Sequence, residues 1–180
     1  MTRKTVLLEL LDDNQRRIEK LLTAEQQGYL YWSPDDGGNS IAVTIWHAAR
    51  VHDVFLTQHI HARPADREIW FASGWAEKCG YDPRGIGTLG WGAVTGYSLE
   101  EVKAMPAFEA DTLLGYFEEV AAAIRTYLDE TPEEMLDEPS RGFEGKQTNY
   151  HWIRHPLFDT TRHVGEALAF KAMWERSNLS

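Results

Sequence analysis

Four stretches of this chain repeat apolar residues at spacings of three and four, and that rhythm restricts the fold more than any other feature. Residues so spaced line one face of an α-helix, and that face has to be buried against another like it. The first stretch runs from about Lys4 to Ala24, with Leu7, Leu10, Leu11, Ile18, Leu21 and Leu22 on its stripe. The second runs from about Ser40 to His61, with Ile41, Ile45, Ala48, Val51 and Phe55. Asn39 or Ser40 can cap it by accepting from the free amides of its first turn. The Pro34-Asp35-Asp36-Gly37-Gly38 run before it is a turn cluster.

The third stretch starts near Ser98, where Ser98-Leu99-Glu100-Glu101 reads as a capping box. Pro106 then breaks or kinks the chain. The main body carries Leu113, Phe117, Val120, Ile124 and Leu128, and Thr131-Pro132 closes it. The fourth runs from about Pro156 to Arg176, with Leu157, Phe158, Val164, Ala167, Leu168, Phe170 and Trp174. Proline suits the first helical position, which makes His155 the expected cap.

No strong strand signal is present. Tyr29 to Trp32 and Glu68 to Ala72 are short apolar pieces, each readable as a brief strand or a helical turn. Four amphipathic helices bury their stripes most simply against one another, so the expected fold is all-α, a four-helix bundle. A length of 180 residues suits one domain, and 43% hydrophobic residues with seven each of Trp, Tyr and Phe argue against disorder. Two long connections remain. Arg63 to Tyr97 interleaves glycines with Trp75, Tyr81, Trp91 and Tyr97, and is expected to cover one end of the bundle as a pocket wall; the other is Thr131 to Tyr150.

A formal net charge of −10 with no basic run makes nucleic acid a poor partner. No stretch reaches the roughly 18 to 20 apolar residues of a membrane span, and the N-terminal run is too short and too amphipathic for a signal peptide. The lone Cys79 allows no internal disulfide and reads as an ordinary thiol. These features lead us to expect a cytoplasmic protein that binds neither nucleic acid nor membrane.

Seven histidines, at 47, 52, 59, 61, 151, 155 and 163, fall in two clusters, one on the second helix and one on or before the fourth. Asp159 and His163 stand at i and i+4, which puts both side chains on one helical face. His47 lies in an apolar run and needs a polar partner. If the second and fourth helices are neighbours, His47, Asp159 and His163 make a two-imidazole, one-carboxylate set that leaves positions open on a divalent metal. The bland alternatives are a solvated Asp–His pair and a satisfied core histidine.

His155, one turn before Asp159, is a weaker metal candidate, and Glu166 a weak candidate for orienting a ligand or acting as a base. His52 lies about 140° round the helix from His47 and should not share its site. His59 and His61 are expected at the surface, Arg162 in solvent, and Trp46 and Trp174 in a core or interface. Gly85-Ile86-Gly87-Thr88-Leu89-Gly90 matches Gly-x-Gly-x-x-Gly in letters but lacks a preceding strand, so it is discarded as a dinucleotide site. There is no Gly-x-Ser-x-Gly elbow, Walker loop or His-Glu-x-x-His.

Ile45-Trp46-His47-Ala48-Ala49 resembles the Leu-Trp-His-Leu-Ala pattern on the second helix of the DinB/YfiT-like superfamily. Asp159-Thr160-Thr161-Arg162-His163-Val164-Gly165-Glu166 is similar to that family's His-x-x-x-His-x-Gly-Gln/Glu ending, with Asp in place of the first histidine. The resemblance implies a four-helix bundle, a divalent metal on the three positions, and frequent homodimers. It also implies metal-dependent transfer or hydrolysis of a small electrophilic substrate, with a low-molecular-weight thiol as cosubstrate, as in relatives that use mycothiol or bacillithiol. Nickel or zinc is usual in the family; a carboxylate at 159 favours zinc, manganese or iron. The alternatives kept open are a non-catalytic metal- or ligand-binding stress-response protein and a structural helical module without metal.

Overall fold

The computed structural model describes residues 1–24, 27–35 and 37–178; Asp36 of the expected turn cluster lies outside them. Among the described residues there are seven α-helices and no strand. Helix α1, Arg3–Leu22, is capped by Thr2, whose hydroxyl accepts from the Thr5 amide at 3.2 Å. Its expected stripe is buried except for Leu10, and Asn14 is buried within it. The Asn14 amide donates to the Leu157 carbonyl at 3.0 Å and its oxygen accepts from Thr161 at 3.1 Å, so a polar residue ties α1 to the last helix.

Helix α2, Ile41–Val54, starts at Ser40, which accepts from the Val43 amide at 3.4 Å. Every residue in it except Val43 is buried, as befits a helix packed on all sides. It continues through a π-helical turn at Phe55–Ile60, and Ala62 then takes a left-handed φ of 54°. The expected long connection after α2 holds two short helices, α3 at Ile69–Ala72 and α4 at Trp75–Cys79. The apolar piece at 68–72 is thus a helical turn, and the one at 29–32 centres on a 3-10 turn at Gly28–Tyr31.

The capping box at Ser98 and Glu101 is present and opens α5, Leu99–Lys103. Helix α6, Ala110–Glu130, buries the predicted stripe from Leu113 to Leu128. Helix α7, Asn149–Asn178, departs from expectation. It begins seven residues ahead of Pro156, which sits inside it, so His155 is a helical residue and not a cap. Thr148 does the capping, its hydroxyl accepting from the His151 amide at 3.2 Å. The cost of an interior proline is confined to one lost amide donor and crowding of the preceding turn.

Helix α2 packs against α6 and α7, and α1 against the same two. The α2–α7 pair is antiparallel: the His47 ring meets His163, 4.8 Å between centroids, while His59 stacks on Trp152 at 4.2 Å. Trp46, fully buried as expected, anchors an aromatic cluster with Trp70, Tyr81 and Phe108. Trp174 is half-buried, edge-on to Tyr29.

A candidate metal centre between the second and last helices

His47, Asp159 and His163 converge, each offering one donor atom, with all three atoms within 4.8 Å of one another. Oδ2 of Asp159 lies 3.6 Å from Nε2 of His47 and 3.5 Å from Nε2 of His163. Both separations exceed the usual N–H···O length. They lie close to the edge of a tetrahedron of donors about 2.0 to 2.1 Å from a central ion, which is about 3.3 to 3.5 Å, and the third separation, within 4.8 Å, would have to close slightly on an ion. The site is sheltered on one side and open on the other: His47 is buried, while the Asp159 and His163 side chains are about a quarter exposed.

Each imidazole is oriented by its other nitrogen. His47 Nδ1 donates to the Ala93 carbonyl, which can only accept, so Nε2 is the nitrogen with a free lone pair. His163 Nδ1 donates to Glu166 Oε2 at 3.0 Å, with the same result. Histidine ligands in metal sites are held by partners of this kind, a carbonyl or a carboxylate behind the ring. Glu166 therefore stands behind a candidate ligand. The second Asp159 oxygen, Oδ1, accepts from the well-solvated Arg162 at 3.4 Å.

The electrostatics follow from these contacts. The imidazole of His163, and then that of His47, hold the Asp159 carboxyl far below the usual carboxylate range. Asp159 in turn raises the His163 imidazole, with burial opposing and Glu166 assisting. Two neutral imidazoles and a carboxylate fit zinc, manganese or iron as donors.

The Ala93 carbonyl is presented by a strained loop: Val94, next in sequence, holds a φ of 68°, a left-handed conformation that β-branched side chains rarely adopt. Arg50, one turn after His47, fixes that loop. Its Nε donates to the Gly92 carbonyl and its Nη2 to the Trp91 carbonyl, each at 3.2 Å. Arg50 also pairs with Glu68 at 2.8 Å and with Asp53 at 3.3 Å, all three sealed from solvent. Asp53 accepts from the amides of Ile69 and Trp70 at 2.8 and 2.9 Å, capping α3, and from the Tyr116 hydroxyl at 2.8 Å. Sequence reading missed this network. Its signal was Arg50 and Asp53, opposite charges three apart on the second helix amid a largely apolar run.

The other histidines lie elsewhere. His52 is not in the group, as expected from its angle; its Nε2 meets the Thr160 hydroxyl at 3.1 Å, and burial holds its imidazole down at about 3. His155 does not reach the three donors, and its ring stacks on His151 at 5.6 Å. His59 is not at the surface: it is 2% exposed inside a cage of Phe55, Trp91, Phe143 and Trp152, and neither ring nitrogen finds a partner among the described residues. Burial depresses it to about 4, so it is neutral at pH 7. His61 is half-buried, edge-on to Tyr127.

No helix among the described residues is long and apolar enough to cross a membrane. No curated protein matches the chain. A solved structure, described as the conserved protein of locus from Enterococcus faecalis, superposes with a TM-score of 0.76 at 21% sequence identity, covering 94% of this chain and 95% of that one. At that identity the likeness shows the fold alone. The profile of the DinB superfamily matches residues 10–167. With that match over most of its length, the chain belongs to the DinB superfamily.

Proposed function

We propose that the protein is a divalent-metal-dependent enzyme acting on a small electrophilic substrate, most simply as a thiol-dependent S-transferase or a hydrolase. One observation carries the reading: two imidazole Nε2 atoms and one carboxylate oxygen face a common point, with their orienting partners already in place. Held there, the ion would supply Lewis acidity that makes a water or a low-molecular-weight thiol acidic near neutral pH. His47 and His163 would act as neutral donors, and Asp159 would lower the net charge of the ion. Glu166 and the Ala93 carbonyl would keep the rings from rotating. The Gly- and aromatic-rich segment from residue 85 to 97 would form the wall over His47.

The reading takes α1, α2, α6 and α7 as one four-helix bundle and one domain, working as a homodimer in a reducing, cytoplasmic setting. The lone Cys79 and the absence of a basic run support that setting and the lack of a nucleic-acid partner. A second reading has its own support: Arg162 on Asp159 and Glu166 on His163 partly satisfy the cluster without an ion, as a structural module would need.

Elemental analysis of protein purified without chelators separates the two. About one divalent ion per chain in the wild type, lost in His163→Ala, supports the metal reading, whereas equal and negligible metal in both ends it. Metal-loaded protein is then offered thiols with electrophilic acceptors. Turnover that His163→Ala lacks supports the enzyme, and its absence leaves a metal-binding protein. Light scattering at a monomer mass would refute the dimer.

A further inference from the structure

A cleft lies beyond the C-terminal end of α2, on the side away from His47. It has a volume of about 740 Å³, within the roughly 300–1,000 Å³ range of small-molecule sites. Its floor is apolar, formed by Leu56, Ile60, Ala123, Tyr127 and Met135. From His47 to His61 the chain travels about 20 Å, taking a helical rise of 1.5 Å per residue. The cleft therefore shares no residue with the candidate metal centre.

Three arginines, Arg63, Arg67 and Arg141, also line this cleft. Among the described residues none of their guanidinium groups has a carboxylate or an aromatic ring as partner. By contrast, Arg3, Arg16, Arg50, Arg84 and Arg125 each hold a carboxylate. In a chain of net charge −10, three unpaired guanidiniums around one cavity are a local reversal of sign. Arg63 and Arg141 both act on the His61 imidazole, which burial lowers first and their charges lower further; they therefore converge on one part of the wall. Glu130 is the one acidic residue lining the cleft, and it leaves the balance positive.

The backbone there is shaped at a cost. Leu56, Thr57 and Ile60 come from the π-helical turn, in which the His61 amide donates to the Leu56 carbonyl at 3.1 Å. Turns of this kind are rare and recur at functional sites. Ala62 at φ 54° then swings the chain so that the Arg63 amide reaches the Thr57 carbonyl at 2.9 Å.

We propose that this cleft binds an organic carboxylate with an apolar body, the tail lying on Leu56, Ile60 and Tyr127 and the carboxylate held by Arg63 and Arg141. Guanidinium is the donor best matched to a carboxylate, and the two can pair through parallel hydrogen bonds. The site does not depend on the metal reading.

The test is isothermal titration calorimetry of the full chain with decanoate, using decanol and inorganic phosphate as probes of each half of the ligand. Decanoate should bind at least tenfold more tightly than either. Arg63→Gln/Arg141→Gln should weaken decanoate at least tenfold and leave decanol unchanged; both side chains are exposed, so the fold should survive. Thr126→Trp, which adds bulk to the cleft wall beside Tyr127 and leaves the charges in place, should also weaken decanoate, whereas His163→Ala should not affect it. Decanol or phosphate binding as well as decanoate would overturn the proposal, as would unchanged decanoate affinity in either cleft variant, loss of binding in His163→Ala, or no binding at millimolar decanoate.

Discussion

Arg50 and Glu68 meet at 2.8 Å with neither side chain reaching solvent, and through this pair α2 holds the start of α3 and the loop that orients His47. Replacing Arg50 by Met leaves Glu68 buried with only Gln58 as a partner and withdraws one partner from Asp53. Breaking one side of a buried pair costs about 3–5 kcal/mol, and urea denaturation should read a loss of that order. Arg50→Lys keeps the charge but not the fork of donors and should fall between the two.

At the candidate metal centre, His47→Ala and Asp159→Ala should each remove bound metal as His163→Ala does. Asp159→His should retain it, since it supplies a third imidazole at the same helical position. Metal content by mass spectrometry checks all of these.

Glu166 touches His163 Nδ1 and not the convergence point, so Glu166→Ala should weaken metal affinity without abolishing it. The expected loss is about 10- to 100-fold, the range for partners behind a histidine ligand, measured by competition with a chromophoric chelator.

Metal binding should also weaken as pH falls, because a protonated imidazole has no lone pair to give. Asp159 foremost, against burial and with help from Glu166, raises the His163 imidazole above its ordinary 6.5, so proton competition begins above that value. Zinc titrations at pH 8, 7 and 6 should show affinity dropping at each step. In the metal-free protein the same raised imidazole contributes stability that is complete below about 6.5 and lost as pH climbs through its folded value.

His59 has the opposite sign. Burial depresses it from 6.5 to about 4, so the unfolded chain takes up its proton first. The associated stability is fully present above about pH 6.5 and is lost as pH falls toward 4, by about 3 kcal/mol at most. His59→Phe should flatten the difference between denaturation curves at pH 7 and pH 5 by up to that amount, while costing little at pH 7, where neither ring nitrogen has a partner to lose.

The helices were legible because their signals are local. The stripe of α6, Ser40 ahead of α2 and the Ser98–Glu101 box can each be seen within a few residues of sequence. The start of α7 was not, because a proline reads as a first-turn residue and the Thr148 cap carries no matching acidic partner three residues on. His59 was misplaced for a different reason: its burial comes from Trp91, Phe143 and Trp152, which belong to remote segments. The candidate site lay between these cases. Asp159 and His163 are linked by spacing alone, but His47 joins them only because α2 and α7 run antiparallel, a fact of packing. The Arg50–Asp53–Glu68 cluster depends on packing still more, as Glu68 lies beyond the end of α2.

Two of the three candidate donors ride on a single helix, and the third is contributed by its neighbour far earlier in the chain. An ion seated among them would be a cross-link, closing a ring of polypeptide from residue 47 to residue 159 and restricting the unfolded chain accordingly. A protein with one cysteine has no internal disulfide with which to make such a tie. Coordination would give this helical fold a clasp that is reversible, fastened by deprotonation and released by acid.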